Sequence, residues 1–278
     1  MKPNDVGPGR PCHAHRWLCI AALAGLASSG AHAALYGLSD NDNLYLINES
    51  TGAATLVVTV PRNVSLTGIS FLRGTLYATD IFGDPSGFRF GTIDIATGAF
   101  TGINDQGGSA NWHGLAGNES ADVLYTIDID DSDKLKSVTP GGVITTIGSG
   151  TGIDGRGMAY DNMHGILYAT SSSGGGLYSV DVTTGVATLI GAMGISAGNI
   201  GLEYDEVSGV LYANDGLSTM SLYTVNTSTG AATLVGANGV DAINGLAWIA
   251  DQAAIPEPAT LTLMGVALAG LGFSRRRQ

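Results

Sequence analysis

Three short markers recur along this chain with one shared period, and that period restricts the fold more than any other feature. The first marker is a Leu-Tyr pair at Leu35-Tyr36, Leu76-Tyr77, Leu124-Tyr125, Leu167-Tyr168 and Leu211-Tyr212, spaced 41, 48, 43 and 44 apart. The second is a Gly before a large aliphatic residue, at Gly68-Ile69, Gly114-Leu115, Gly157-Met158, Gly201-Leu202 and Gly245-Leu246, spaced 46, 43, 44 and 44. The third is a hairpin written most clearly as GLYSVDVTTGVATLI over Gly176–Ile190. It returns as LYLINESTGAATLV (Leu44–Val57), GTIDIATGAFT (Gly91–Thr101) and LYTVNTSTGAATLV (Leu222–Val235), with a degenerate copy, LKSVTPGGVITTI, at Leu135–Ile147. Aromatic and β-branched residues flank a turn whose Gly suits positive φ, so each copy reads as strand, turn, strand.

A period of 40–45 residues holding four strands is the signature of a β-propeller blade. In one unit the strands are GLEYD (Gly201–Asp205), VLYAND (Val210–Asp215), LYTVN (Leu222–Asn226) and ATLVG (Ala232–Gly236). Five units predict an all-β, five-bladed propeller of about 20 short strands. Near-continuous apolar runs predict blades covered on both faces by their neighbours. The phase of the repeat adds a prediction about closure. The chain begins at a second strand, Leu35-Tyr36, and ends on a spare first strand, GLAWI (Gly245–Ile249). That spare strand should complete the blade begun by Leu35–Val60 and remove the open edges.

Composition agrees with many short strands joined by turns: 42 Gly and 13% charged residues, with apolar residues led by Leu, Val, Ile and Ala. The body, residues 34–251, holds 6 Lys and Arg against 22 Asp and Glu, a formal balance of −16. This charge disfavours nucleic acid, whose phosphates need a basic footprint, and anionic membrane surfaces. Cys12 and Cys19 are the only cysteines, and both precede residue 34. A mature body without thiols has no disulfide, cysteine nucleophile or Cys-ligated zinc.

Both ends read as address labels. Residues 1–33 have the form of a secretory signal peptide. Lys2, Arg10 and Arg16 are basic, Trp17–Ala27 is an apolar run of 11, and Ala31-His32-Ala33 is an A-x-A cleavage site. At the other end, a linker over 252–258 contains Pro256-Glu257-Pro258. It precedes an apolar segment, predicted as a transmembrane helix over 259–274, and a basic cytoplasmic tail over 275–278 with Arg275, Arg276 and Arg277. Its 15 apolar residues Ala259–Phe273 reach roughly 22 Å as a helix, short against a hydrocarbon core of about 30 Å. The arginines would keep the C-terminus in the cytoplasm and leave the body outside. An ordinary tail anchor is the plainer reading of the same residues.

This ending resembles the PEP-CTERM sorting signal of Gram-negative bacteria. The resemblance implies export by the secretion machinery, transient inner-membrane anchoring and processing by an exosortase. It further implies a final place at the cell surface or in a biofilm matrix, with exopolysaccharide or a surface protein as the partner. It covers only the last 23 or so residues and implies nothing about the body.

Candidate site residues follow from the blade pattern. If each inner strand starts near the marked Gly, the preceding residue rims the central channel. Those residues are Thr67, His113, Arg156, Ile200 and Asn244, with Asn111, Trp112, Asp154 and Asn199 nearby. Two places after the Gly stand Ser70, Ala116, Ala159, Glu203 and Ala247. A constant scaffold carrying varied polar residues at one ring suits a binding face. The predicted ligand rim is therefore Trp112, His113, Asp154, Arg156, Asn199, Glu203 and Asn244, with Trp112 for sugar stacking. The plainer alternative is a wet channel that tolerates assorted polar residues.

The chain has no H-E-x-x-H or P-loop motif, and nothing in it implies a cofactor. Asp40–Asn43 and Asp128–Asp133 could offer oxygen ligands to calcium, but neither follows the EF-hand spacing, so solvated turns are expected. The favoured reading is a non-enzymatic exported propeller binding glycan or protein. A polysaccharide hydrolase or lyase would need two carboxylates about 5–10 Å apart, and Glu203 with Asp154 is the pair on offer. A calcium-dependent structural adhesin is the third reading.

Overall fold

A computed structural model describes residues 33–61, 66–80, 90–103, 111–195, 198 and 200–249. The predicted signal peptide, except Ala33, and everything from residue 250 onward lie outside the described residues.

The described chain forms five four-stranded antiparallel sheets, the five predicted blades. The first contains β1 (Ala34–Ser39), β2 (Asn43–Ile47) and β3 (Ala54–Thr59). The second contains β4 (Leu66–Leu72), β5 (Thr75–Asp80), β6 (Phe90–Ile93) and β7 (Phe100–Gly102). The third contains β8 (Ala116–Asn118), β9 (Val123–Asp128), β10 (Lys134–Val138) and β11 (Ile144–Ile147). The fourth contains β12 (Gly155–Asp161), β13 (Ile166–Ser171), β14 (Gly176–Val180) and β15 (Ala187–Ala192). The fifth contains β16 (Ile200–Asp205), β17 (Val210–Asp215), β18 (Ser221–Val225) and β19 (Ala232–Ala237). The last strand, β20 (Ile243–Ile249), returns to the first blade and pairs with β1, with Leu35 opposite Trp248 and Tyr36 opposite Ala247. The closure expected from the repeat phase is present.

The marker glycines stand where neighbouring inner strands come closest. A Cβ on Gly68 would lie 2.7 Å from the carbonyl oxygen of His113, and one on Gly114 2.4 Å from that of Arg156. On Gly157 it would lie 2.2 Å from the Ile200 oxygen, and on Gly201 2.8 Å from that of Asn244. On Gly245 it would lie 2.8 Å from the Thr67 oxygen, which returns to the start of the cycle. Any side chain there would push two blades apart.

The Leu-Tyr pairs work through the two-residue period of a strand, which sends adjacent side chains to opposite faces. Leu167 joins the core shared by blades three and four, whereas Tyr168 joins the one shared by four and five. Leu211 and Tyr212 divide in the same way, as do Leu76 and Tyr77 and Leu124 and Tyr125. Each blade thus gives a Leu to the blade before it and a Tyr to the blade after it. The five apolar clusters of the described residues are the five blade–blade interfaces.

The hairpin turns carry positive φ at Gly52, Gly98, Gly185 and Gly230, between 73° and 77°. The turns open earlier than the T-G pair. The side-chain oxygen of Asn48, Asp94, Asp181 or Asn226 accepts main-chain N–H groups two and three residues later. These turns also lean on the neighbouring blade: a Cβ on Gly230 would lie 2.5 Å from the Gly191 carbonyl oxygen.

One expectation from the apolar runs is corrected. The inner strands are buried at all but one position each in β4, β12 and β16, but the fourth strands are not, with Leu189 and Leu234 58% and 59% exposed. Blades splay with distance from the axis, so their outer edges have no neighbour to cover them.

Two measurements check this architecture. Gly157→Ala should lower stability by more than about 1 kcal/mol in a denaturant melt, as overpacking against backbone does. A surface change such as Val143→Ala should stay within about 0.5 kcal/mol. A chain truncated before Gly245 loses the burial of Leu246 and Trp248, each worth about 1.5–3 kcal/mol, and should aggregate. A chain truncated after Asp251 should melt like the intact one.

Candidate functional site

The inner strands β4, β8, β12, β16 and β20 run side by side along the axis, so the channel has two mouths. The upper mouth is where these strands begin, and the lower mouth is where they end.

Thr67, His113, Arg156, Ile200 and Asn244 meet at the upper mouth, as the repeat predicts, around a void of only about 10 Å³. That is room for about one water molecule. The side chains themselves fill the mouth. Arg156 Nη1 lies 2.6 Å from His113 Nε2, and Arg156 Nη2 lies 3.1 Å from Asp154 Oδ2. Ser172 Oγ donates to the same Asp154 oxygen. Asn244 Nδ2 donates to Asp40 Oδ1, and Thr67 Oγ1 donates to the Trp112 carbonyl at 3.2 Å.

A guanidinium can only donate, so His113 Nε2 accepts and the imidazole is neutral with its proton on Nδ1. Burial, together with the Arg156 charge, lowers the His113 pKa from 6.5 to about 4, against the opposing pull of Asp154 and Asp130. The network still has unused capacity. Arg156 Nε, Asp154 Oδ1 and Asn244 Oδ1 are buried with no partner among the described residues.

Trp112 and Glu203 are not part of this ring. Trp112 is 3% exposed and sits in the core between blades two and three with Leu115 and Leu124, so its ring is not offered to a sugar. Asn199 lies outside the described residues. Glu203 belongs to the lower mouth. In the repeat register, Asp154 and Glu203 are five strand steps apart along the axis, about 16 Å at 3.3 Å per residue. That exceeds the spacing of a glycosidase pair, so the predicted two-carboxylate arrangement is not formed.

The acidic loops spend their oxygens on the fold. Asp42 Oδ1 accepts the Leu66 N–H at 3.1 Å, tying the first blade to the second. Asp131 takes Lys134 at 2.8 Å and Lys136 at 2.5 Å, and these hydrogen bonds lower its pKa to about 2. Among the described residues no group of three or more His, Cys, Asp or Glu is placed to hold a metal ion. His164 lies in a hairpin turn with Nδ1 2.7 Å from Asp161 Oδ2.

The lower mouth carries a feature absent from the sequence-based site. Three places after each marker Gly stand Phe71, Gly117, Tyr160, Tyr204 and Trp248, and all five line an open funnel that also reaches Glu203 and Glu206. An aromatic residue in four of five repeats at one offset is the signal that could have located it.

The His113 shift has a definite sign. Its folded value lies below that of the unfolded chain, so the unfolded state binds more protons between about pH 6.5 and 4. Stability from this group is complete above pH 6.5 and is lost as pH falls through that window, by up to about 3 kcal/mol. In melts across the window, His113→Gln should flatten the decline relative to the parent protein.

Residues 254–277 match the PEP-CTERM protein-sorting motif. No curated protein matches the chain. The fold is similar to a chain in a crystal structure of a nidogen/laminin complex. That match has 17% identity and a TM-score of 0.55, covering 78% of this chain and 82% of the other. A structural genomics protein of unknown function from Bacteroides thetaiotaomicron aligns with 17% identity and a TM-score of 0.48, over 73% of this chain and 50% of that one. Virginiamycin B lyase from Staphylococcus aureus aligns with 13% identity and a TM-score of 0.44, over 74% of this chain and 70% of its own. The nidogen/laminin match speaks for the propeller fold alone. The chain is thus a five-bladed propeller bearing a PEP-CTERM sorting motif, which implies export, anchoring through the C-terminus and processing by an exosortase.

Proposed function

We propose that the mature protein is a non-catalytic propeller, displayed at the cell surface or in the extracellular matrix, whose upper mouth binds glycan or a surface protein. The supporting observation is the polar ring at one level of an otherwise repetitive scaffold. His113, Arg156 and Asp154 hold one another in place and Asp40 holds Asn244, while Arg156 Nε, Asp154 Oδ1 and Asn244 Oδ1 keep capacity to spare. The void beneath admits about one water, so a partner would lie across the mouth and not enter the channel. An extended polymer or a protein loop suits such a surface. A buried small substrate does not.

The address and the binding face can be tested separately. With tags at both ends in a host carrying an exosortase, the body should leave the cell without its C-terminal tag and with a mature N-terminus near Ala34. Replacing Pro256-Glu257-Pro258 with alanines should leave export intact and block release. For the binding face, the measurement is retention on the producer's own exopolysaccharide. Arg156→Ala and Asn244→Ala should each weaken it several-fold, about 1 kcal/mol per lost hydrogen bond. Unchanged retention in variants that melt normally would remove the upper mouth from the reading.

A further inference from the structure

Four hairpin turns share one pattern: Asn or Asp, two variable residues, then Thr-Gly. The first variable position faces the preceding blade. Ile95 packs there against the core between blades one and two, and Val182 against the core between blades three and four. Thr227 hydrogen-bonds Tyr168 of the fourth blade. In the first blade the same position holds Glu49, a carboxyl where the other three copies are uncharged.

Glu49 is half-buried between the first blade and the fifth. It accepts the Leu35 main-chain N–H, and Asp205 and Tyr212 face it across the interface. Burial raises its pKa, the Leu35 hydrogen bond opposes the rise, and Asp205 adds to it. Among the described residues no Lys or Arg pairs with it. Arg73, Lys134, Lys136 and Arg156 are each engaged by acidic groups elsewhere. A half-buried carboxylate without a positive partner is costly.

The partner the position calls for is one residue away. Leu35 follows Ala34, the first residue of β1, and the Ala31-His32-Ala33 cleavage site ends just before it. Ala34 and Glu49 line the same open groove. Successive residues of a strand are spaced by at most about 3.6 Å, so a carboxylate on the Leu35 N–H has the Ala34 nitrogen within pairing range. In the uncut chain that nitrogen is a neutral amide. Hydrolysis of the Ala33–Ala34 bond by a signal peptidase gives the water's hydroxyl to the Ala33 carbonyl carbon and its hydrogen to the Ala34 nitrogen. The new amine then takes a further proton from solvent. We propose that removal of the signal peptide creates an ion pair between the Ala34 ammonium and Glu49, which pins the start of β1 to the β2–β3 turn. This rests on the reading of Ala34 as the mature N-terminus. Ala34 also stands opposite Ile249 in the closing ladder, so the pair fastens the rung from which the sorting tail departs.

The pair has a pH signature. An ammonium held by a carboxylate has a folded pKa above its unfolded value of about 7.7–8.0. Its stabilisation is complete below that value, as long as Glu49 is ionised, and is lost as pH rises through the raised one. Asp205 and the Tyr212 hydroxyl are the other titratable groups facing Glu49.

The experiment uses the exported protein, extracted in mild detergent, with its N-terminus read by mass spectrometry. Its amines are the N-terminus, Lys134 and Lys136. Methylation with ¹³C-formaldehyde makes each visible in an NMR titration. The α-amine should titrate about 1 unit or more above its usual range, and Glu49→Gln should return it there. A Gly-Ser insertion after Ala33 moves the ammonium two residues away and should abolish the shift with Glu49 intact. Glu49→Gln should lower the melting temperature of the parent but not of the insertion protein. An Ala34 amine titrating in the ordinary range would overturn the pair and leave the cleavage reading standing, as would a shift that survives Glu49→Gln. A mature N-terminus elsewhere would overturn both.

Discussion

Close approach of backbone to backbone around the axis is the constraint on which this structure depends. Five glycines each face the carbonyl oxygen of the next inner strand at a distance no Cβ tolerates. The ring they make is cyclic, and its last contact, Gly245 to Thr67, joins the end of the chain to its second blade. Such close approach leaves little room inside. The channel is lined by serine and alanines except at Glu203, and its upper mouth is filled by the side chains around it. Along the channel, contact with a ligand is therefore confined to the two mouths.

Main-chain groups freed by this geometry are met by small polar residues of the second strands. Thr79 and Thr170 hydroxyls accept the N–H of Gly68 and Gly157, Thr126 donates to the Gly114 carbonyl, and Asn214 donates to the Ile243 carbonyl. These residues are fully buried, where an unpaired backbone group would be costly. The second strand thus does two things at once: its Leu and Tyr fill the interfaces on either side, and its Thr or Asn satisfies the inner strand.

Much of this was legible in the sequence because each marker answers to one local demand. Glycine marks a position without space for a side chain, Leu-Tyr marks a strand covered on both faces, and T-G marks a positive φ. Their shared period then supplied the blade count, and its phase supplied the closure. The remainder depends on relations between blades that one strand does not display. Trp112 lies one residue before His113 and looks like part of the rim, yet the alternation of the strand turns it into the core. Glu203 lies three residues after a rim position, and that offset places it at the other mouth. Exposure of the fourth strands follows from the splay of the blades, which residues such as Leu189 and Leu234 do not signal.

Closure also bears on how the body tolerates its sorting tail. The strand that completes the first blade, β20, is buried along its whole length. Only six residues separate its end at Ile249 from Pro256. Tension on a membrane-held tail would pass directly into β20, where it is resisted by the β1 ladder on one side and the Gly245–Thr67 approach on the other. Cleavage anywhere in 250–258 spares the ladder, whereas cleavage inside β20 would remove the Trp248 and Leu246 contacts that join blades five and one. Processing close to the Pro-Glu-Pro segment is therefore compatible with releasing the propeller intact.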